Sequence, residues 1–334
     1  MKKVRIALIG CGRMGRNLVS NLTNIPEAEL VAAVDANPEA AQATAQEYQC
    51  EASTELDQIL ARDDVDAVLI ATPNSLHAPN AIAAAQAGKH VFTEKPMALS
   101  VSDARAMIQA AEQAGVKLMV GQVLRYLPPF VWIIDQIRAG RWGEPFAGQV
   151  TRVSTTWTGG SHDVPWRHTM AESGGALFEV HIHEIDFMCE IFGQPEAVWA
   201  VTGRFVLDDV DYYDTAAVLV RFAGGKPVQF LTGNSAISGR YDGKILCTDA
   251  DIYYSGFGEV QIVQRGGETL TLTREDVASE YEPGLQRELR EFVEAVAYDK
   301  PVTIPGEQGL RAVQIAEAAV ISGQTGQVVE LPLP

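Results

Sequence analysis

The first fifteen residues constrain the fold more than any other stretch. Val4, Ile6, Leu8 and Ile9 form a short apolar run that stops at Gly10-Cys11-Gly12-Arg13-Met14-Gly15, and Leu18, Val19 and Leu22 then recur at helical spacing. Strand, glycine turn and helix in that order predict a dinucleotide-binding α/β unit. In a G-x-G-x-x-G turn Gly10 permits the bend, Gly12 lets backbone amides approach a pyrophosphate, and Gly15 lets the helix lie close on the strand. Arg13 and Met14 open that helix and join the candidate cofactor residues. A second apolar run, Leu30 to Val34, ends in Asp35, 20 residues after Gly15. An acidic side chain there is placed to accept hydrogen bonds from the adenosine ribose and would repel a 2′-phosphate, so NAD is expected in preference to NADP.

The rest of the chain fits two domains. A length of 334 residues suits two better than one, and alternating strands and helices run to about residue 122. Asn37 caps an expected helix that starts at Pro38, and Val65 to Ala71 reads as a buried strand. His90 to Phe92 reads as another strand, Ser100 and Asp103 as a capping box, and Lys117 to Val120 as a further strand. Residues 1–122 are therefore expected to form a doubly wound parallel sheet. Residues 123–334 are expected to form an α+β domain with a large, mainly antiparallel open sheet. Its strands are expected at Gly148 to Trp157, Ala197 to Leu207, Thr215 to Phe222, Val228 to Ile237, Lys244 to Tyr254 and Glu259 to Leu272. Its helices are expected near 130–137, 176–192, 285–297 and 308–322.

Charge and cysteines narrow the partners. The formal charge of −17, from 43 acidic against 26 basic residues, argues against nucleic acid or an anionic membrane surface. No apolar run approaches a membrane span, and the basic start Met1-Lys2-Lys3 leads into a strand rather than a signal peptide. The four cysteines are widely spaced without metal-ligand patterning, which suits a reducing cytoplasm.

Three stretches carry candidate chemistry. Thr72-Pro73-Asn74 through His77 follows one strand end, where ligands bind in such sheets; Asn74 is suited to a nicotinamide ribose, or to ordinary turn and capping chemistry. Glu94-Lys95-Pro96 follows another strand end, and Lys95 can stabilise an alkoxide developing as hydride leaves. A cis bond at Pro96 would fix the lysine's direction, against a base rate of about 5%. In the second domain, Glu179, His183, Asp186 and Glu190 fall on one stripe of the expected helix, with Glu179 orienting His183 for proton transfer. His181 falls on the opposite side of a regular helix and reads there as a packed histidine; in extended chain it would share a face with His183. No metal is expected, since no third well-spaced ligand follows and hydride transfer needs none.

Gly10 to Gly15, Ala71-Thr72-Pro73-Asn74 to His77, Glu94-Lys95-Pro96 and the segment from Gly174-Gly175 to His183 and Asp186 together resemble the Gfo/Idh/MocA family of NAD(P)-dependent sugar and polyol oxidoreductases. The resemblance implies a Rossmann domain, then a domain whose open sheet carries the substrate side and the interface of a homodimer or homotetramer. It implies Lys95, His183 and Glu179 as catalytic residues, with His183 taking a hydroxyl proton and Lys95 steadying the oxygen. It implies Asp186, Arg125 and Tyr126 as substrate contacts, and Trp157 or Trp166 as an aromatic able to stack on a sugar face. Many members have aspartate at the position of Glu179 and glycine at that of His181, and Gln122-Val123 departs from the common aromatic and asparagine. Sugar, cyclic polyol or sugar derivative is the expected substrate class. A non-catalytic NAD-binding regulator and a glycosidase with tightly held NAD are the alternatives that this resemblance leaves open.

Overall fold

The computed structural model describes residues 3–155, 164–278 and 281–334. In the first part β1 (Val4–Ile9), α1 (Arg13–Leu22), β2 (Ala28–Val34), α2 (Pro38–Tyr48), β3 (Glu51–Ser53), α3 (Leu56–Leu60), β4 (Ala67–Ile70), α4 (His77–Gln86), β5 (His90–Glu94), α5 (Val101–Ala114) and β6 (Leu118–Gly121) follow in turn. The six strands form one sheet in the order β3-β2-β1-β4-β5-β6, every pairing parallel. All four residues of β4 are buried, as continuous apolar sequence requires of a central strand covered on both faces. The strand order reverses between β1 and β4, so the glycine turn after β1 stands at the switch point, where such sheets bind ligands. Asn37 caps α2 as expected, its Oδ1 accepting the Glu39 N–H at 2.9 Å, with Pro38 in the first turn.

The second part contains α6 (Phe130–Arg138), β7 (Pro145–Val153), α7 (Met170–Ser173), α8 (Gly175–Glu179), α9 (Ile182–Phe192), β8 (Pro195–Gly203), β9 (Thr215–Phe222), β10 (Lys226–Gly233), β11 (Arg240–Cys247), β12 (Ala250–Ser255), β13 (Val260–Gln264) and β14 (Thr269–Leu272). Then come α10 (Arg274–Ala278), α11 (Gly284–Ala297), α12 (Gly306–Thr325) and β15 (Val329–Glu330). A nine-stranded sheet runs β14-β13-β12-β11-β7-β10-β9-β8-β15, antiparallel except where β10 meets β7. One face is buried: Val218, Val220 and Phe222 of β9 alternate with exposed Ala217, Leu219 and Arg221, the period-two signature of a half-covered sheet.

Three expectations change. The runs Lys244–Tyr254 and Glu259–Leu272 are hairpins, β11–β12 and β13–β14, because each contains a turn that the apolar alternation hides. The 176–192 helix is two helices, broken at Val180-His181. Trp157 lies outside the described residues.

The chain divides into two compact units that are not continuous in sequence. The first comprises Met1–Ala98, Ser102–Gln122 and Leu285–Leu310; the second comprises Leu99–Val101, Val123–Gly284 and Arg311–Pro334. The return of 285–310 departs from an uninterrupted second domain over 123–334. It is held by Phe292 packing on Phe92, centroids 5.7 Å apart, and by the Val120 N–H donating to Ile304 O. All four cysteines are unpaired, and among the described residues no helix is long and apolar enough to cross a membrane.

Candidate functional site

In the first unit the glycine turn has the form a dinucleotide needs. Gly10 sits at φ +97°, and a Cβ on it would come within 2.6 Å of Ala71 O. A Cβ on Gly15 would stand 1.9 Å from Gly10 O, so only glycine lets α1 lie this close to the turn. Gly12, preceding α1, is the opposite case: a Cβ there would meet nothing within 4 Å. Backbone flexibility does not explain that glycine. It leaves open the approach to the first N–H groups of α1, where a pyrophosphate would sit. The Asp35 carboxylate joins this turn, Oδ2 accepting the Cys11 N–H at 2.7 Å and Oδ1 the Asn37 N–H at 2.8 Å. It remains partly exposed, with acceptor capacity left for ribose hydroxyls. The open approach at Gly12 and the spare acceptor capacity of Asp35 fit a nicotinamide dinucleotide. Burial drives the Cys11 thiol up to about 11, so it is inert packing beneath the turn.

The two other strand-end motifs are tied to each other. Asn74 opens a short turn, Asn74–Leu76, and is buried. His77 is 1% exposed, with Nδ1 2.7 Å from Pro96 O and Nε2 3.0 Å from Thr72 O. Both ring nitrogens face carbonyl oxygens, so His77 braces the Thr72-Pro73 turn against the Lys95-Pro96 turn; as a cofactor contact it does not present a ring edge outward. The Lys95–Pro96 bond is cis. Glu94 is also buried, its Oε2 accepting the Lys95 N–H at 3.2 Å. Lys95 is half-exposed.

In the second unit the expected polar stripe is divided. Ala176 O accepts the N–H of both Val180 (3.1 Å) and His181 (3.2 Å), so one residue is inserted into the helical repeat before α9 begins. At about 100° per residue this turns Glu179 away from the line of His183, Asp186 and Glu190. Glu179 instead receives Arg167 Nη2 on Oε1 at 2.6 Å, and the guanidinium lies 4.9 Å over the Trp166 ring. His183, at the second position of α9, is half-buried.

Asp186 and Glu190 do share a face, and Arg125 occupies it. Arg125 Nε and Nη2 contact the two Asp186 oxygens at 2.6 and 2.7 Å, and Nη1 contacts Glu190 at 2.6 Å. Burial opposes the guanidinium charge, but Asp186 and Glu190 hold Arg125 well above its ordinary value. With Asp186 fully buried and Arg125 nearly so, these two groups, expected as substrate contacts, are paired with each other. Tyr126 is buried as well. Trp166 is half-buried.

A further network was not anticipated. Glu184, buried on α9, pairs with Arg152 of β7 and lies 3.7 Å from His181 Nδ1. Burial favours the neutral acid, yet Arg152 and the contact with His181 together outweigh it and Glu184 is held at about 2. Burial also pushes His181 below its ordinary value, over the pull of Glu184. His181 is therefore a packed, neutral histidine. The available signal was strand alternation, which places Arg152 on the same face as buried Val150.

A nucleotide-accepting glycine turn at the switch point of a parallel sheet, joined in sequence to a unit with a large mixed sheet, defines a two-unit NAD-binding oxidoreductase fold. Family models agree with that class: residues 4–122 match the NAD-binding Rossmann fold of an oxidoreductase family, and residues 134–331 match the same family's C-terminal alpha/beta domain. The chain belongs to the Gfo/Idh/MocA oxidoreductase family. It is 31% identical over 327 residues to an inositol 2-dehydrogenase of Rhizobium meliloti (strain 1021), covering 96% of both chains. Among solved structures it is similar to the WlbA dehydrogenase from Bordetella pertussis in complex with NADH and UDP-GlcNAcA, with TM-score 0.90 and 26% identity over 100% of this chain and 99% of that one. It is also similar to a levoglucosan dehydrogenase in complex with NADH, with TM-score 0.89 and 25% identity over 99% of this chain and 100% of that one. Among the described residues no three His, Cys, Asp or Glu side chains converge as metal ligands would.

Proposed function

We propose that this protein is an NAD-dependent dehydrogenase that moves a hydride between a secondary hydroxyl of a sugar, cyclic polyol or sugar derivative and the nicotinamide ring. The observation that carries the reading is the open face of Gly12 beside the Asp35 carboxylate, a cradle shaped for a dinucleotide with a free ribose. The full-length likeness to an inositol 2-dehydrogenase supports the substrate class. Gly10, Gly12, Arg13, Met14, Gly15, Asp35, Thr72, Pro73 and Asn74 hold the cofactor. Bound NAD supplies the hydride acceptor. Lys95 places its ammonium on the substrate oxygen and lowers the cost of deprotonating it. His183 takes the hydroxyl proton, and Glu179, its carboxylate shared with Arg167 rather than set one helical turn from His183, is the acidic member of the proposed pair. Trp166 offers an apolar face for a sugar ring.

We also assign the uncovered face of the nine-stranded sheet to a second copy of the chain. Trp199, Val201, Leu219, Leu231 and Phe146 are all exposed on its strands, more apolar surface than water favours. Light scattering on wild type and Trp199→Glu reads the assembly, and a monomeric wild type refutes it. The activity is tested by near-ultraviolet absorbance of reduced nicotinamide, with NAD or NADP against inositols, aldoses, anhydro sugars and glycosides. A rise with NAD on one polyol or sugar is expected. Silence across the panel, with NAD shown to bind, overturns the dehydrogenase reading.

A further inference from the structure

Beside Trp166, Arg167 has no part in the reading above, yet the second unit is built to hold the turn that carries both. Arg167 and Glu179 make a close pair whose side chains are only 15% and 7% exposed. Both ends of this pair are fastened to the same neighbouring loop, residues 204–214.

At the arginine end, the Asp211 N–H donates to His168 O at 3.3 Å, Asp211 Oδ1 accepts the Met170 N–H, and His168 Nδ1 lies 3.5 Å from Asp209. The turn Pro165–His168 is thus stapled immediately after Arg167. At the glutamate end, the Tyr212 ring packs on Gly175, where a Cβ would approach it to 2.9 Å, and Gly175 begins the helix that ends in Glu179. Asn234 Nδ2 donates to the Tyr212 hydroxyl at 3.1 Å, and Ala176, Val210 and Tyr212 form one buried cluster.

The loop itself is rigidly organised. Asp214 is fully buried, and one of its oxygens accepts the N–H groups of Phe205, Val206 and Leu207 at 3.0, 2.8 and 2.9 Å. Its other oxygen accepts the Thr215 hydroxyl at 3.0 Å. Arg204 donates to Val210 O at 2.6 Å across the loop. A carboxylate with so many donors fixes a backbone that would otherwise sample many states.

We propose that Arg167 is a positioning residue for Glu179, and that the loop 204–214 is the frame that sets the distance between them. The inserted residue at Val180-His181 removes the helical i, i+4 relation between Glu179 and His183, so the carboxylate needs an anchor from outside its own helix, and Arg167 is that anchor. The inference rests on the reading of Glu179 and His183 as the proton-handling pair.

The test compares Arg167→Met, Arg167→Lys and Asp211→Ala with wild type, using NAD and the polyol that wild type oxidises. Because misplacement of a catalytic group by about 1 Å costs about 10²-fold, Arg167→Met should lower kcat by about 10²-fold while KM and NAD affinity stay within a few-fold. Arg167→Lys keeps a cation for Glu179 and should recover most of that loss. Asp211→Ala, which loosens the frame by one hydrogen bond, should lower kcat by up to about tenfold. Crystal structures of the two Arg167 variants supply a readout independent of turnover: Glu179 should keep its place with lysine and leave it with methionine. An effect confined to KM, an unchanged kcat in Arg167→Met, or an unmoved Glu179 would overturn the proposal. Absence of wild-type turnover would sink the dehydrogenase reading instead, and the crystallographic arm would still decide whether Arg167 holds Glu179.

Discussion

Glutamine in place of Glu184 removes one charge from a buried network without changing its shape. The Glu184 side chain is 1% exposed, paired with Arg152 and close to His181. Burial raises the cost of its charge, but Arg152 and then His181 more than compensate, lowering the group from 4.5 to about 2. A depressed folded-state value means that the unfolded chain takes up the proton first as pH falls. The stabilisation is therefore complete above about pH 4.5 and is lost progressively down to about pH 2. At 1.36 kcal/mol per pH unit the difference corresponds to about 3 kcal/mol, at the lower edge of what breaking a buried pair costs. Glu184→Gln should thus lose about 3 kcal/mol at neutral pH, measured by urea unfolding followed by circular dichroism. The gap should close as pH falls below about 4.5, because the wild type then gains the proton that the amide mimics. A gap below about 1 kcal/mol at neutral pH, or one that does not narrow in acid, would refute the ion-network account.

The glycines of the turn should separate folding from binding. Gly15→Ala forces a Cβ onto Gly10 O and should cost at least about 2 kcal/mol by thermal or urea unfolding; Gly12→Ala should fold normally yet weaken NAD at least about tenfold by calorimetry. Lys95→Met should lower kcat by about 10²–10³-fold, and His183→Gln by about 10²–10⁴-fold, each with NAD still bound, in steady-state assays on the identified substrate. Asp35→Ala removes the acceptor for the Cys11 and Asn37 N–H groups and should weaken NAD while narrowing its advantage over NADP. Asp35→Asn retains an acceptor atom and should lose less NAD affinity in the same titration.

What could be read from the amino acids and what could not divides along the separation of interacting partners. The glycine turn, the Asn37 cap and the apolar β4 are local: steric limits at Gly10 and Gly15, one side-chain hydrogen bond and one run of buried residues decide them. Residue alternation located the strands β8 to β10 for the same reason, although it ran across the turn between β11 and β12. The charged partners were a different matter. Arg125 meets Asp186 across 61 residues, Arg152 meets Glu184 across 32, and Arg167 meets Glu179 across 12. Each acidic residue was visible on or near the expected helix, but its cation comes from another element, and only the fold says which one.

The break before α9 gives that division its functional weight. On an unbroken helix Glu179 would stand about one, two and three turns from His183, Asp186 and Glu190, and a single stripe could have done all the polar work. The extra residue at Val180-His181 separates two tasks. Asp186 and Glu190 are turned onto Arg125, where they neutralise a buried cation, while Glu179 is turned onto Arg167 and the frame around residues 204–214. His181, at the break, becomes the buried neighbour of Glu184, and burial keeps its ring neutral. His183 thereby differs from its near neighbour in exposure, being half-buried where His181 is 2% exposed. Two histidines two positions apart in the chain are thus placed in opposite chemical circumstances, and His183, which retains access to solvent, is the one proposed above to exchange a proton.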